Sequence, residues 1–470
     1  MPSQPSDFAA VIGLDWADRK HDICLMPAGQ QNPEFTVLEH DPVAIDSWAN
    51  QLKKRFAGRP IAVCLEIARG PIVSALLEYD FFVIFPINPA ALAKYRQTFT
   101  PSHAKDDPTD AFFAFDFFRC HFDRLAPLRR ERPAMRALQH LVQDRRTLVH
   151  DRSRLINRVT YALKEYFPQV LRWFRDKHTD VFVDFITRWP TLLAAQRAHR
   201  DTLVDFFHLH NVRRGYVIER RIAAIKAARP LTSDPAVIEP NRLVAETLLA
   251  QISVLSKAVE RFDAEIATQC AALPDFKIFN ALPGAGTAMA PRLLAAFGEQ
   301  RERFPNAAAI QKYAGIAPVV ERSGNKSWTH WRYICPKFLR QTFVEWVGET
   351  VPRSFWAKAF YESRRAKGVD HNAIIRALAF KWLRILWRCW VDRQPYDESR
   401  YLLALQKRHS PSLPSLFIQA DFACRSASGR ELDGGLHDQS HPGHSTARVF
   451  SETVAKQCFP KTTWTLPCLT

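Results

Sequence analysis

An α/β fold is predicted for residues 9–125, followed by a mainly helical remainder, and three observations predict it. Residues 11–25, VIGLDWADRKHDICL, consist of two apolar runs separated by a polar break at 17–19, which is typical of a β-hairpin. Short strand patterns then alternate with helical ones as far as residue 95. From residue 129 onward the apolar spacing is that of amphipathic helices, one of them long.

The first domain can be followed element by element. After the hairpin, the strand patterns fall at 34–38, 61–65 and 81–85, and the helical patterns fall at 43–56, at 70–79 after a Gly-Pro start, and from residue 89. A three-stranded meander followed by β-α-β units is typical of a mixed sheet of the ribonuclease H-like kind. In that topology the first and fourth strands are neighbours, so Asp15 should lie beside Glu66.

Carboxylates are the candidate catalytic groups of this domain. Asp15 interrupts an apolar strand, where acids are depleted because desolvating a carboxylate is costly unless it is paired or binds a cation. The alternative is an acid at a strand end that faces solvent. Residues 102–111, SHAKDDPTDA, then lead into a helix, on which Asp110 shares a side with either Asp107 or Asp106. Spacing alone does not choose between those two, and acids in a first helical turn also favour the helix dipole without any function.

The charge balance points to a polyanionic partner. The chain has 65 Lys and Arg against 48 Asp and Glu, a net charge of +17. Nucleic acid is favoured over an anionic membrane, because no apolar run reaches the roughly 18 residues of a spanning helix. The N-terminus lacks the pattern of a signal peptide, and nine cysteines without a CxxC pair indicate neither a zinc cluster nor a disulfide framework. A reducing cytoplasm is the expected compartment.

Residues 126–273 are predicted to be a basic helical and coiled-coil region. A long helix over 129–167 carries arginines with few balancing acids, which favours a surface that faces nucleic acid over an ordinary solvated face. The candidate contacts on it are Arg145, Arg146, Arg152, Arg154 and Arg158. The heptad-like spacing of 241–273 predicts a coiled-coil spacer or dimer contact, with packing in a helical bundle as the alternative.

Residues 274–405 are predicted to form a C-terminal domain that is mainly helical. Its glycine-rich turn, LPGAGT with Gly284 and Gly286, resembles the helix-hairpin-helix turn that contacts DNA phosphates through backbone N–H groups, although glycine turns between helices are common. Further on, Ser323 stands in ERSGNKSW between Arg322 and Lys326. A serine in such a turn is usually a turn former, and the alternative is a nucleophile on a loop beside cations. Residues 406–470 lack periodicity, which predicts a disordered tail.

Six short motifs in order resemble one known family. They are GLDWA with Asp15, CLE with Glu66, KDDPTDA, LPGAGT, YAGIAP, and RSG with Ser323. Over roughly residues 10–405 the chain is similar to the DEDD-type insertion-sequence transposases, in which a RuvC-like domain is joined to a serine-bearing transposase domain. The resemblance implies that Asp15, Glu66, Asp107 and Asp110 are the catalytic acids and Ser323 is the nucleophile. The family pattern Lys-Thr-Asp-x-x-Asp-Ala favours Asp107, and this chain departs from the pattern by having Asp106 where threonine is common.

The resemblance also implies a mechanism and partners. Members of this family are bridge-RNA-guided recombinases, so the partners would be a structured guide RNA, donor DNA and target DNA. A homo-oligomer, dimer to tetramer, would bring the acids of one subunit to the serine of another. Four carboxylates form a hard oxygen site suited to Mg²⁺ and phosphoryl transfer, and a serine would add a covalent phosphoserine step. The alternatives are a RuvC-like junction-specific endonuclease without the covalent step and an inactive element protein that only binds nucleic acid.

Overall fold

The computed structural model describes residues 4–99 and 107–407, and its N-terminal part is built on a five-stranded sheet. The strands are β1 (Ala10–Trp16), β2 (Lys20–Pro27), β3 (Glu34–Glu39), β4 (Ile61–Leu65) and β5 (Phe82–Pro86), in the order β3-β2-β1-β4-β5. The first three strands are antiparallel, and β4 and β5 run parallel to β1. The predicted hairpin, the meander and the pairing of the first and fourth strands are therefore confirmed.

Helices cover both faces of this sheet. They are α1 (Pro42–Arg55), α2 (Pro71–Leu76), α3 (Pro89–Gln97) and α4 (Asp107–His121). The Asp41 side chain caps α1, and the Asn88 side chain caps α3, by accepting backbone N–H groups of the first turn. On one face, Ile12 and Val63 belong to a core shared with α1 and α2. The other face is packed against α4.

Two long helices dominate the middle of the chain and pack against each other in opposite directions. They are α5 (Pro133–Tyr166) and α11 (Pro235–Ala271). Arg145 pairs with Asp263, and seven residues further along α5 Arg152 contacts Ser256, seven residues earlier on α11. The apolar face predicted for 241–273, with Leu248, Ile252, Val259 and Ile266 buried, thus contributes to packing within the chain, as the bundle alternative predicted.

Five short helices follow α5 and precede α11. They are α6 (Val170–Trp173), α7 (Asp180–Arg188), α8 (Leu192–Arg197), α9 (Arg200–Leu209) and α10 (Gly215–Ala227). Together with the C-terminal half of α5 and the N-terminal half of α11 they enclose one apolar core, rich in phenylalanine. This far lobe, residues 156–252, owes its cohesion to aromatic packing around Phe185, whose ring lies 5.0 Å from those of Phe174 and Trp189.

Between residues 272 and 407 the structure has seven α-helices and a small two-stranded sheet. They are α12 (Phe276–Asn280), α13 (Gly286–Phe297), α14 (Ala307–Tyr313), β6 (Val319–Ser323), β7 (Lys326–His330), α15 (Lys337–Thr350), α16 (Phe355–Ala366), α17 (His371–Asp392) and α18 (Glu398–Lys407). Trp346, Trp382 and Trp390 are fully buried and belong to the core of this region.

The chain divides into two compact units. Of the described residues, the first unit contains 4–99, 107–349 and 379–396, and the second contains 350–378 and 397–407. In the second unit, the Ser354 hydroxyl caps α16 and donates a hydrogen bond to Glu398, 2.8 Å away. The predicted domain boundaries remain predictions, and the predicted tail lies outside the described residues from 408 onward.

Candidate functional site

Two of the predicted acids stand at the carboxyl ends of neighbouring parallel strands. The register of β1 and β4 ends with Gly13 opposite Cys64. Asp15 lies two residues beyond Gly13, and Glu66 lies two residues beyond Cys64, so the two acids are level with each other. Both side chains are half-buried. The predicted juxtaposition of Asp15 and Glu66 therefore follows from the sheet.

Helix α4 lies over the face of the sheet on which these acids stand. A Cβ on Gly13 would be 1.9 Å from the carbonyl oxygen of Ala111, so only a glycine lets the helix approach this closely. On β4, Ala62 and Cys64 pack against Ala114 and other residues of α4. Since side chains alternate along a strand, Asp15 shares the face of Gly13, and Glu66 shares the face of Cys64.

The direction of α4 brings its first turn to the same edge. Phe8, which precedes β1, packs edge-to-face against Phe118 near the end of α4 and against Phe122 just after it, with ring centroids 5.9 and 6.4 Å apart. Gly13, further along β1, meets Ala111 near the start of α4. The helix is thus antiparallel to β1, and its N-terminal turn, with Asp107 and Asp110, begins beside the strand ends. We call Asp15, Glu66 and this first turn the acid edge.

Asp110 is engaged by an arginine. Arg96 of α3 donates a hydrogen bond to its carboxylate at 2.5 Å, and each side chain is about one-fifth exposed. Asp107 is the first residue of α4, and Asp106 lies outside the described residues. The side chain of Asp107 also lies outside the described part of the chain, and among the side chains that are described no group of three or more Asp, Glu, His or Cys is close enough to hold a metal ion. Carboxylate oxygens suit Mg²⁺ chemically, but a complete ligand set is not assembled among the described side chains.

Sequence reasoning missed Asp22, a further carboxylate beside the acid edge. Asp22 of β2 lies directly opposite Asp15 and therefore on the same face of the sheet. It is only 7% exposed, and its partner is the Lys20 ammonium at 4.0 Å. The signal was available, because the depletion of acids in strands that drew attention to Asp15 applies equally to Asp22.

A buried histidine supports the turn next to Asp15. The Nδ1 atom of His21 accepts a hydrogen bond from the Ala17 N–H at 3.3 Å, which leaves Nε2 to carry the proton and donate to His40 Nδ1 at 2.9 Å. Burial, and to a smaller extent the neighbouring His40, lowers the pKa of His21 to about 4. His21 is therefore neutral at physiological pH, and the bond to Ala17 fixes the β1–β2 turn.

Ser323 lies at the tip of the β6–β7 hairpin. It pairs with Lys326 across a two-residue loop of Gly324 and Asn325. Gly324 has a φ of +56° at the first loop position, as a type II′ turn requires. Ser323, Arg322 and Lys326 are all exposed, and no hydrogen bond of the Ser323 hydroxyl is found within the described ranges. The loop thus presents a hydroxyl between two cations to solvent.

The five candidate arginines of α5 divide into two groups. Three of them turn toward other parts of the protein, because α11 and α15 pack on that side of the helix. Arg145 pairs with Asp263 at 2.5 Å, Arg146 lies 4.9 Å from the ring of Phe338, and Arg152 donates to Ser256 at 3.3 Å. Arg154 and Arg158 are exposed, the former in an ion pair with Asp151 of the same helix.

The glycine-rich turn between α12 and α13 also has two distinct roles. Gly284 has a φ of +73°, and a Cβ there would lie 2.6 Å from the carbonyl oxygen of Glu349, so this glycine allows close packing against α15. Gly286 is exposed with nothing within 4 Å of a Cβ. Of the two predicted phosphate-binding glycines, Gly286 at the start of α13 is the accessible one.

None of the helices in the described ranges combines the length and apolar character needed to cross a bilayer.

Comparison with known proteins finds the same two regions. A family model for DEDD-type transposases of the IS110 kind matches residues 12–168, and a model described as transposase, IS116/IS110/IS902 family, matches residues 277–362. The first covers the acid edge and α5, and the second covers the glycine-rich turn and the Ser323 hairpin.

Individual relatives are insertion-element proteins. The mini-circle protein of IS117 from Streptomyces coelicolor is 28% identical over 396 residues, which cover 83% of this chain and 95% of the relative. The 44.8 kDa protein of IS116 from Streptomyces clavuligerus is 26% identical over 62% of this chain and 72% of its own length. The 42 kDa protein of IS900 from Mycobacterium paratuberculosis is likewise 26% identical, over 62% of this chain and 73% of its own length.

Proposed function

Since the chain belongs to the IS116/IS110/IS902 family of transposases, we propose that it cuts and rejoins the DNA strands of an insertion sequence by phosphoryl transfer through a phosphoserine. The observation that supports this proposal best is the acid edge, where two strand ends and the first turn of α4 meet. Asp15, Glu66, Asp107 and Asp110 would be the catalytic acids, and Ser323 would be the nucleophile. The compartment would be the reducing cytoplasm.

The acids would work with a divalent metal, as DEDD transposases normally do. Carboxylates from β1, β4 and α4 would hold Mg²⁺, which would supply charge neutralisation at the phosphate and at the leaving oxygen. Asp110 would have to leave its ion pair with Arg96, 2.5 Å away, in order to bind the metal ion. The RuvC-like identity of the domain is part of the proposal and is supported by the order of its strands.

Ser323 would convert cutting into exchange. Its Oγ would form a bond to the phosphorus, the bond from phosphorus to a deoxyribose oxygen would break, and the proton of the serine would pass to that oxygen. A hydroxyl of another strand would then displace the serine by the reverse step, so the phosphodiester would be remade without ATP. The exposure of the Ser323 hairpin supports this role, because a nucleophile must reach DNA.

Sequence choice would be delegated to a structured bridge RNA that pairs with donor and target DNA. Arg154 and Arg158, the outward arginines of α5, would contact phosphates, together with Gly286, Arg322 and Lys326. The protein would act as a homo-oligomer, dimer to tetramer, in which the acid edge of one subunit meets the hairpin of another.

A denaturing gel tests the covalent step. With Mg²⁺, cognate RNA and DNA, the wild-type protein should form a protein–DNA adduct that Ser323→Ala abolishes. Ser327→Ala is the matched control, because Ser327 is also an exposed serine and lies on the opposite strand of the same hairpin. Asp15→Asn should abolish cleavage and leave RNA binding intact.

The other outcomes identify the alternatives. Cleaved DNA ends without an adduct in the wild-type protein would indicate an endonuclease that uses the acids alone. Binding without any cleavage would indicate an element protein that only holds nucleic acid. Either result would refute the proposed recombinase.

A further inference from the structure

A groove at the base of the Ser323 hairpin has the composition of a nucleotide-binding surface. Its volume is about 490 Å³. The residues that line it are Trp331, Tyr333, Lys337, Arg340, Gln341 and Val344, and we call it the aromatic groove. It lies where β7 leads into α15, one strand length, or roughly 17 Å, from the tip that carries Ser323.

One strongly exposed aromatic side chain lines the groove, and a second lies on the strand that leads into it. Tyr333 is 75% exposed, and nearby Trp328 is 46% exposed, whereas Trp346 of α15 is fully buried. The Tyr333 ring stacks against that of His330, with centroids 5.4 Å apart and planes 19° from parallel. His330 is in turn held by Glu321 at 2.8 Å. The tyrosine is thus supported on one side and leaves its other face accessible.

The charge of the groove favours an anionic ligand. Lys337 and Arg340 line it, and no carboxylate does. The Arg340 guanidinium lies 5.5 Å from the ring centroid of Trp331, so a cation and an aromatic face are presented together. A second cavity differs because carboxylates line it, two of which form ion pairs with arginines: Glu299 with Arg132 and Asp275 with Arg301.

We propose that the aromatic groove binds single-stranded DNA, with a base stacked on Tyr333 and adjacent phosphates contacted by Lys337 and Arg340. Unpaired bases expose the flat faces that such stacking needs, whereas the bases of a duplex are already stacked on one another. The choice of DNA over RNA rests on the proposed function, because a strand cut by Ser323 would lie on the hairpin that leads into the groove.

Binding of a short oligonucleotide tests the groove without any chemistry. The full-length protein is titrated, in the absence of metal and guide RNA, into a fluorescently labelled oligodeoxynucleotide of about 12 residues without self-complementarity. Tyr333→Ala should weaken the affinity between about fivefold and 150-fold, and Tyr333→Phe should restore it, because stacking needs the ring and not the hydroxyl. Tyr161→Ala is the matched control, since Tyr161 on α5 is a tyrosine of similar exposure, 69%.

The salt dependence provides an independent readout for the cations. Lys337→Gln should reduce the slope of log K against log salt concentration by about 0.7, the value for one phosphate contact on a single strand. Ser323→Ala should bind the oligonucleotide as the wild-type protein does. A failure of the proposed catalysis can therefore be distinguished from a failure of the groove to bind single-stranded DNA. Equal affinity of Tyr333→Ala and Tyr161→Ala would overturn the proposal. So would an effect of Tyr333→Ala that appears only with duplex DNA or only with RNA.

Discussion

Gly13 is the position at which packing and proposed catalysis are most directly linked, and Gly13→Ala tests that link. The new Cβ would lie 1.9 Å from the Ala111 carbonyl oxygen and 2.7 Å from the Phe115 nitrogen, where real contacts stay above 3.0 Å. Both neighbours are backbone atoms of α4 and cannot rotate away. The helix and the strand must therefore separate by about 1 Å, which displaces the acids of α4 from Asp15 and Glu66.

The expected magnitudes follow from that displacement. Overpacking of this kind costs about 1–3 kcal/mol of unfolding free energy. A misplacement of about 1 Å in a catalytic geometry lowers the rate about 100-fold. Urea denaturation followed by circular dichroism measures the first quantity, and Mg²⁺-dependent DNA cleavage measures the second.

Gly348→Ala is the control for Gly13→Ala. Gly348 lies within α15, and a Cβ there would have no neighbour within 4 Å, so alanine should stabilise the helix by up to about 1 kcal/mol. A Gly13→Ala protein with the wild-type unfolding free energy and the wild-type cleavage rate would refute this link between packing and catalysis. That outcome would mean that the position of α4 does not depend on the absence of a side chain at residue 13.

Three further predictions follow from other positions. The pKa of His21 is 6.5 in the unfolded chain and about 4 in the folded protein, so the unfolded chain binds the proton first as the pH falls. The free energy of unfolding should therefore be unaffected above pH 6.5 and should decrease by up to about 3 kcal/mol as the pH is lowered to 4. Urea titrations at several pH values measure this loss, which should be smaller in His21→Gln. Trp390→Ala should lower the free energy of unfolding by about 3–5 kcal/mol in urea denaturation, because it leaves a fully buried site empty and removes the 3.1 Å hydrogen bond from Nε1 to the Gly298 carbonyl. Trp390→Phe should lower it by less. Gly284→Ala should destabilise the fold more than Gly286→Ala, because both glycines have positive φ but only the new Cβ at 284 would collide with the Glu349 backbone. Gly286→Ala should be the variant that reduces DNA binding. Equal unfolding free energies of the two variants would contradict this division.

Much of the N-terminal domain was predictable because its signals are local. The alternation of β1 and β2, the Gly-Pro start before α2 and the β-branched run of β4 each fix an element within a few residues. The topology then followed from general rules of chain connection. The juxtaposition of Asp15 and Glu66 needed nothing more than that topology.

The arginines of α5 show what the sequence could not supply. Arg145 and Arg154 look alike within the helix, and only the packing of α11, a hundred residues later in the chain, makes one an internal partner of Asp263 and leaves the other exposed. The Arg96–Asp110 ion pair depends likewise on how α3 lies beside α4. By contrast, the need for Gly13 could have been inferred, since a glycine within an apolar strand often marks the close approach of another backbone.

The antiparallel course of α5 and α11 has a consequence for how this protein can vary. Each helix runs for about 50 Å, out to the far lobe and back. The returning chain arrives where the outgoing one departed. The Gln300 side-chain amide donates a hydrogen bond to the Arg130 carbonyl, and the Arg132 guanidinium donates one to the Glu299 carboxylate. Insertions or deletions at the distant end would therefore leave the spacing between the two matched regions unaltered. Evolution could therefore reshape that extremity while the two matched regions stay as they are.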